Sequence, residues 1–208
     1  MRLFLAVDLP SHVRTVVGSF QQDLKRRLER SWNRNVRVGW VEPQLMHLTL
    51  KFLGETDEQI TEPLRNSIEE LMVGYRRARI PLARVGAFPR AQQPRILWIG
   101  PETSWEQGAD AGNLTSLHQA IDNCCERYGF GKEARPFSPH LTLARVKEGD
   151  REVGQALARS GVLDQPVSLG FLPVDAIVLM KSELRPKGPL YSKLWEVRLP
   201  SGNSSAAD

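Results

Sequence analysis

An α+β fold of two pseudo-symmetric lobes, with antiparallel sheets facing a central cleft and helices on the outside, is what this sequence predicts. Two observations predict it. The tetrapeptide His-Leu-Thr-Leu occurs twice, at 47–50 and at 140–143. Each copy also comes after the same interval: Leu3 stands 44 positions before His47, and Ile96 stands 44 before His140. Both intervals run in one order: an apolar strand, a helix, then a strand bearing the motif. After each motif come a helix and another apolar strand, starting near Ile80 and near Val174. A duplicated β-α-β-α-β-like unit places equivalent residues of its two copies across a cleft. Residues 1–200 are expected to form one domain, and the small polar residues 201–208 a disordered tail.

Residues 2–8 read as the first strand, and 11–30 as an amphipathic helix with Ser11 as N-cap. Strands follow at 36–41 and 45–53, the second ended by Gly54. Thr56 or Asp57 is placed to cap a helix reaching about residue 75, and 80–88 and 95–99 are strands. A helix spans 112–128, a strand 139–146, a short helix 150–160 and a strongly apolar strand 174–180. A last strand at 195–199 closes the domain.

The 208 residues are 41% hydrophobic and 25% charged, enough apolar side chains for a real core. No apolar run approaches the roughly 20 residues that cross a bilayer. The apolar opening is broken by Asp8 and Pro10 and lacks a small-residue cleavage site, so it reads as a strand and not a signal peptide. Cys124 and Cys125 are adjacent, pointing about 100° apart if helical, and form neither a disulfide framework nor a zinc pattern. A reduced, cytoplasmic, monomeric protein is the expectation. The net charge of +4 and pI near 9.3 suit an anionic partner, such as a phosphate or nucleic acid.

On a strand, side chains alternate, so His47 and Thr49 share one face while Leu48 and Leu50 anchor the other. His140 and Thr142 repeat that arrangement with Leu141 and Leu143. A lone His-x-Thr is more often a packed or surface feature than a catalytic one. Its duplication at equal intervals points to a shared site. In-line displacement at phosphorus needs a base beside the attacking oxygen and an acid beside the leaving oxygen. Two imidazoles, with ordinary pKa near 6.5, can fill both roles near neutral pH. Threonine hydroxyls can donate to the non-bridging oxygens. Zinc would need a third ligand that neither motif brings on the right face, so no metal or cofactor is expected. His12 and His118, both on helices, are read as surface residues.

Further matching stretches accompany the motifs. They are Arg2-Leu3-Phe4, Trp40-Val41 with Pro43, Lys51-Phe52-Leu53-Gly54, Gly86-Ala87-Phe88-Pro89 and Pro94-Arg95-Ile96-Leu97-Trp98. Phe137-Ser138-Pro139 before His140, Ala144-Arg145 after Leu143, and the late Ser182, Gly188 and Tyr191 complete the set. With these residues the sequence resembles the 2H phosphoesterases, most closely their RNA 2′,3′-cyclic phosphodiesterase branch, historically called 2′-5′ RNA ligases. The resemblance implies hydrolysis of a terminal 2′,3′-cyclic phosphate to a 2′-phosphomonoester. RNA ends or nucleotides carrying that group are the implied partners, with no membrane and no cofactor.

It also implies that His47 is the proton donor to the leaving 3′-oxygen and His140 the base that activates water. Internal symmetry does not assign those roles. Thr49 and Thr142 would hold the non-bridging oxygens, and Arg145 would contact phosphate. Plain alternation turns Arg145 away from the cleft, at an odd offset from His140, unless a bulge or the strand's end returns it. Lys51, evenly spaced from His47, is expected on the histidine's face as a second basic residue. Phe52, Trp98, Phe137 and Tyr191 can stack on a base or ribose; for Phe52 and Trp98 a core position fits equally. Two other readings remain at this point. One is cleavage or reversible joining of 2′,5′-phosphodiester linkages. The other is non-catalytic binding of RNA ends or nucleotides, for which titratable imidazoles in both motifs would be superfluous.

Overall fold

The computed structural model describes residues 1–32, 35–186 and 188–200, so the expected tail at 201–208 lies outside the described residues. The first copy runs β1 (Arg2–Asp8), α1 (Ser11–Glu29), β2 (Arg37–Trp40), β3 (His47–Glu55), α2 (Thr61–Met72), β4 (Ala78–Pro81) and β5 (Arg84–Phe88). The second runs β6 (Ile96–Gly100), α3 (Ala109–Glu126), β7 (Leu141–Glu148), α4 (Asp150–Ser160), β8 (Phe171–Val174) and β9 (Ala176–Arg185). A final strand, β10 (Gly188–Arg198), follows. Among the described residues, β2 and β10 have no counterpart in the other copy. The fold is α+β, and no helix among the described residues is long and apolar enough to cross a membrane.

Two four-stranded antiparallel sheets, ordered β10-β9-β1-β3 and β2-β7-β6-β5, are joined by the ribbon β4-β8. The lobes are not the two halves of the chain. The last strand of each copy pairs with the first strand of the other, β9 with β1 and β5 with β6. Helices follow the same exchange, α1 packing on α4 and α2 on α3. The motif strands β3 and β7 approach each other between the sheets. Their leucines, Leu48, Leu50, Leu141 and Leu143, are buried in one core that both copies share.

Several expected boundaries move for local reasons. The expected strand 80–88 is two strands, because the Leu82 and Ala83 amides donate to the Gly170 and Gly100 carbonyls and carry the chain from ribbon to sheet. Pro10 occupies the N-cap of α1, and Ser11 is its first residue. The Asp57 carboxylate accepts from the Gln59 amide, 3.0 Å away, and caps a 3-10 turn before α2 begins at Thr61. β10 starts at Gly188, well before residue 195, as the return arm of a long hairpin with β9.

Two β-bulges position the motif strands. In β3, Thr49 pairs with Ala6 and Lys51 with Leu5, which leaves Leu50 as the extra residue. In β7, Thr142 pairs with Trp98 and Ala144 with Leu97, which leaves Leu143 extra. Both bulges thus fall on the final leucine of the tetrapeptide. An extra residue reverses the alternation beyond it.

Each bulged carbonyl accepts a hydrogen bond from a buried side chain of the other copy's first helix. Gln21 Nε2 donates to the Leu143 carbonyl and to the Val41 carbonyl, both at 2.7 Å. His118 Nε2 donates to the Leu50 carbonyl at 3.0 Å. Gln21 sits in the stripe Val17, Leu24, Leu28, and His118 in the equally spaced stripe Leu114, Ile121, Cys125. His118 is therefore not the surface residue expected. It is 8% exposed because its face of α3 packs beneath β3. Replacing Gln21 with leucine would take the side-chain donor from the Val41 carbonyl and leave the Leu143 carbonyl with the Val41 amide alone. The Gln21→Leu variant should lose about 2 kcal/mol of unfolding free energy in a urea titration, with the slope unchanged.

Candidate active site

The two motif histidines are held alike. His47 opens β3, directly after a 3-10 turn at Pro43–Leu45, and its Nδ1 donates to the Leu45 carbonyl at 2.9 Å. His140 directly precedes β7, and its Nδ1 donates to the Ser138 carbonyl at 2.8 Å. A carbonyl only accepts, so Nδ1 carries a proton in both rings and Nε2 remains for proton transfer. Aromatic rings flank each imidazole. Phe4 and Tyr191 lie 4.7 and 5.4 Å from the His47 ring, and Phe88 and Trp98 lie 5.1 and 6.1 Å from that of His140. Burial pushes both imidazoles below their ordinary pKa, against the opposing pull of their backbone carbonyls. The Arg145 guanidinium disfavours a second positive charge on either ring.

The β7 bulge returns Arg145 to the histidine side. Arg145 pairs with Ile96, two residues from Trp98, which is the partner of Thr142. It is exposed, and has no hydrogen-bond or ion-pair partner among the described residues. Its charge acts on His47, His140 and Tyr191 together. Phe52 is its counterpart in β3, five residues after His47 as Arg145 is five after His140. Phe52 pairs with Phe4, its ring 6.1 Å from that of Phe4, and is 63% exposed.

The bulge in β3 likewise corrects the expectation for Lys51. It pairs with Leu5 on the core side, not the His47 side, and is 2% exposed. Its ammonium donates to the Asp122 carboxylate and to the Gly131 carbonyl. Burial works against the Asp122 charge, but the hydrogen bonds from Lys51 and the Glu133 amide hold its carboxyl below the usual range. Lys51 therefore clamps the start of segment 130–139, which carries Phe137 and Ser138.

Thr49 and Thr142 are half-buried, and neither hydroxyl has a hydrogen-bond partner among the described residues. A cavity of about 710 Å³ opens beside Thr49 and His140, lined among others by Phe52, Phe88, Arg95, Arg135 and Phe137. Trp98 is a core residue, 6% exposed and stacked 5.2 Å from Phe88. A Cβ on Gly86 would lie 2.0 Å from its ring, so glycine makes the room that the indole fills. Phe137 stacks on His118 at 4.1 Å and lines the cavity. No group of three metal-binding side chains occurs among the described residues.

Sequence reasoning misses Gln21, Asp122, Asp8 and Arg14. Gln21 and Asp122 lie on the buried faces of their helices and are legible there. Arg14 donates to the carbonyls of Pro43 at 3.0 Å and Gln44 at 2.9 Å, and also grips Asp8, so it locks the turn before His47. No pattern in the chain marks that long-range contact.

Residues 16–185 match the family model of the 2′-5′ RNA ligase superfamily. The chain belongs to that superfamily. A relative from Methanothermobacter thermautotrophicus, named RNA 2′,3′-cyclic phosphodiesterase, is 33% identical over 96% of this chain and 99% of its own. A solved structure from Thermus thermophilus is 29% identical, with a TM-score of 0.72 over 97% of this chain and 100% of that one. Escherichia coli LigT, solved with 3′-AMP, shares the fold at 23% identity, with a TM-score of 0.68 over 95% of this chain and 97% of that one.

Acid should weaken this superfamily member through its buried imidazoles. His47, His118 and His140 all sit below their ordinary pKa because burial disfavours the cation. Their contribution to stability is complete above the unfolded value and is lost as pH falls from about 6.5 toward the folded values. The urea midpoint should therefore drop between about pH 7.5 and pH 5. His118→Gln, which can still donate to Leu50, should flatten that dependence.

Proposed function

We propose that this protein hydrolyses the terminal 2′,3′-cyclic phosphate of RNA to a 2′-phosphomonoester, with His47 as acid and His140 as base. The observation that carries the reading is the pair of imidazoles with matched Nδ1–carbonyl bonds. They stand at the heads of strands whose bulges turn Arg145 and Phe52 to the histidine side. The name of the Methanothermobacter relative supports the substrate.

In this reaction His140 Nε2 takes a proton from water, whose oxygen attacks phosphorus. The bond from phosphorus to the 3′-oxygen breaks in line, and that oxygen takes the proton of His47 Nε2. The 2′-oxygen keeps the phosphate. Thr49, Thr142 and Arg145 hold the non-bridging oxygens as charge gathers on them. Phe52 and Tyr191 offer rings to the base or ribose. Lys51 serves from behind, by fixing the cavity wall. No cofactor enters this reading.

We place the protein in the reducing cytoplasm as a monomer. Both cysteines are free and buried, and burial pushes the Cys125 thiol up to about 12, a group protected from exchange.

Incubation with RNA ending in a 2′,3′-cyclic phosphate should yield only the 2′-phosphate, resolved by chromatography against 2′- and 3′-phosphate standards. A 3′-phosphate product would exchange the roles of the two histidines, and a joined or cleaved 2′,5′ linkage would replace the reaction. Turnover should survive a chelator. His47→Ala and His140→Ala should each abolish nearly all of it, with the double variant little worse, because the pair acts as one unit.

Thr49→Val or Thr142→Val should slow turnover about a hundredfold, the cost of one donor to developing charge. Unfolding midpoints near that of the parent would separate this loss from misfolding.

A further inference from the structure

We infer that Asp8 breaks the equivalence of the two histidines and fits His47, not His140, to carry the acid proton. The inference rests on the two-histidine reaction proposed above. Across β1 and β3, Asp8 is the direct partner of His47. The matching place opposite His140 belongs to Gly100, because Ile99 pairs with Leu141 and the next residue along meets His140. A Cβ on Gly100 would lie 2.8 Å from the Pro139 carbonyl oxygen and 3.5 Å from His140 Cα. No side chain fits there. One imidazole has a carboxylate beside it, and its twin has bare backbone.

Asp8 is fixed in place. Its Oδ1 accepts from the Leu9 amide at 2.9 Å and from the Arg14 guanidinium. The charged groups acting on His47 are Asp8 from β1, Arg145 from β7 and Arg14 from α1, and Asp8 acts more strongly than either cation. Tyr191 from β10 adds a ring edge and Phe4 a tilted face, neither of them charged. Around His140 stand Arg145, with Arg95, Arg135 and Glu133 on the walls of the cavity that His140 lines, the Phe88 and Trp98 rings alongside and Arg84 lying over Trp98. Arg145 works on both rings in the same direction, whereas Asp8 acts on His47 and not on His140. Of the two singly protonated forms of the pair, the one with the proton on His47 gains the carboxylate's attraction. Asp8 is a positioning residue for that proton and touches no substrate atom. Its side chain is 36% exposed, so salt should screen the effect.

The test is Asp8→Asn in the full-length protein, an exchange that keeps an oxygen for Arg14 and the Leu9 amide. Ring titrations followed by NMR on histidine-labelled protein, without substrate, should show His47 moving to lower pH and His140 staying. In kcat/KM the alkaline limb should move inward while the acid limb holds, with a loss of roughly three- to tenfold on the alkaline side. Asp8→Glu should restore both. If Asp8→Asn does not fold, the Asp8→Asn/Arg14→Gln double variant, which leaves no guanidinium facing a lost carboxylate, is compared with Arg14→Gln: the His47 titration should lie lower in the double variant and that of His140 should match.

Equal movement of both rings, or movement of neither, overturns the inference. These titrations need no turnover. An inactive protein with the expected titrations would strike at the proposed reaction, and an active one with unmoved titrations would strike at Asp8.

Discussion

Two backbone carbonyls, those of Leu50 and Leu143, carry the arrangement of the whole site. Each belongs to a bulge, where the regular ladder is disrupted, and each is buried where water cannot stand in for a donor. His118 donates to the Leu50 carbonyl, and Gln21 joins the Val41 amide on that of Leu143, each side chain coming from a helix of the opposite copy. Those hydrogen bonds make the bulges tenable, and the bulges decide which side chains stand beside the histidines. Arg145 and Phe52 reach that side and Lys51 leaves it, all by the same one-residue change of phase. The positive charge nearest the reaction is thus set by a brace on the far side of the strand.

The duplication also explains why the site is nearly symmetric without being so. Imidazole, hydroxyl and bulge repeat between the copies, but the residues added to them differ. Phe52 in the first copy stands where the second has Arg145, and Gly100 in the second stands where the first has Asp8. A cyclic phosphate is itself lopsided, with a nucleoside on one side and solvent on the other. A cleft with a ring on one wall and a guanidinium on the other suits such a group better than two equal walls.

The motif residues are legible in the sequence because alternation needs only local regularity. His47, Thr49, His140 and Thr142 come before the bulges, where the period of two still holds. Beyond them it fails, and nothing in the chain announces the failure. Leu50 and Leu143 are ordinary leucines, with no glycine or proline to mark a bulge. That is why alternation puts Lys51 on the wrong face and leaves Arg145 ambiguous. His118 misleads for another reason: polar neighbours such as Ser116 and Gln119 suggest a wet surface, while the stripe through Leu114 and Ile121 carries the better signal. Which strands pair is beyond periodicity altogether. It describes a strand's faces but not its edges, and the exchange of β5 and β9 is a matter of edges.

That exchange bears on how the chain reaches its folded state during synthesis. Arg2 pairs with Ser182, so β1 waits for a strand made far later along the chain. Until β9 emerges, β1 has one neighbour, and its other edge presents unpaired amides and carbonyls beside a row of apolar residues. Pairings between residues so distant along a chain form slowly. A ribosome pausing between β7 and β9 would therefore hold a nascent chain with both histidines already made and an open, adhesive strand edge, the situation in which chaperones are most needed.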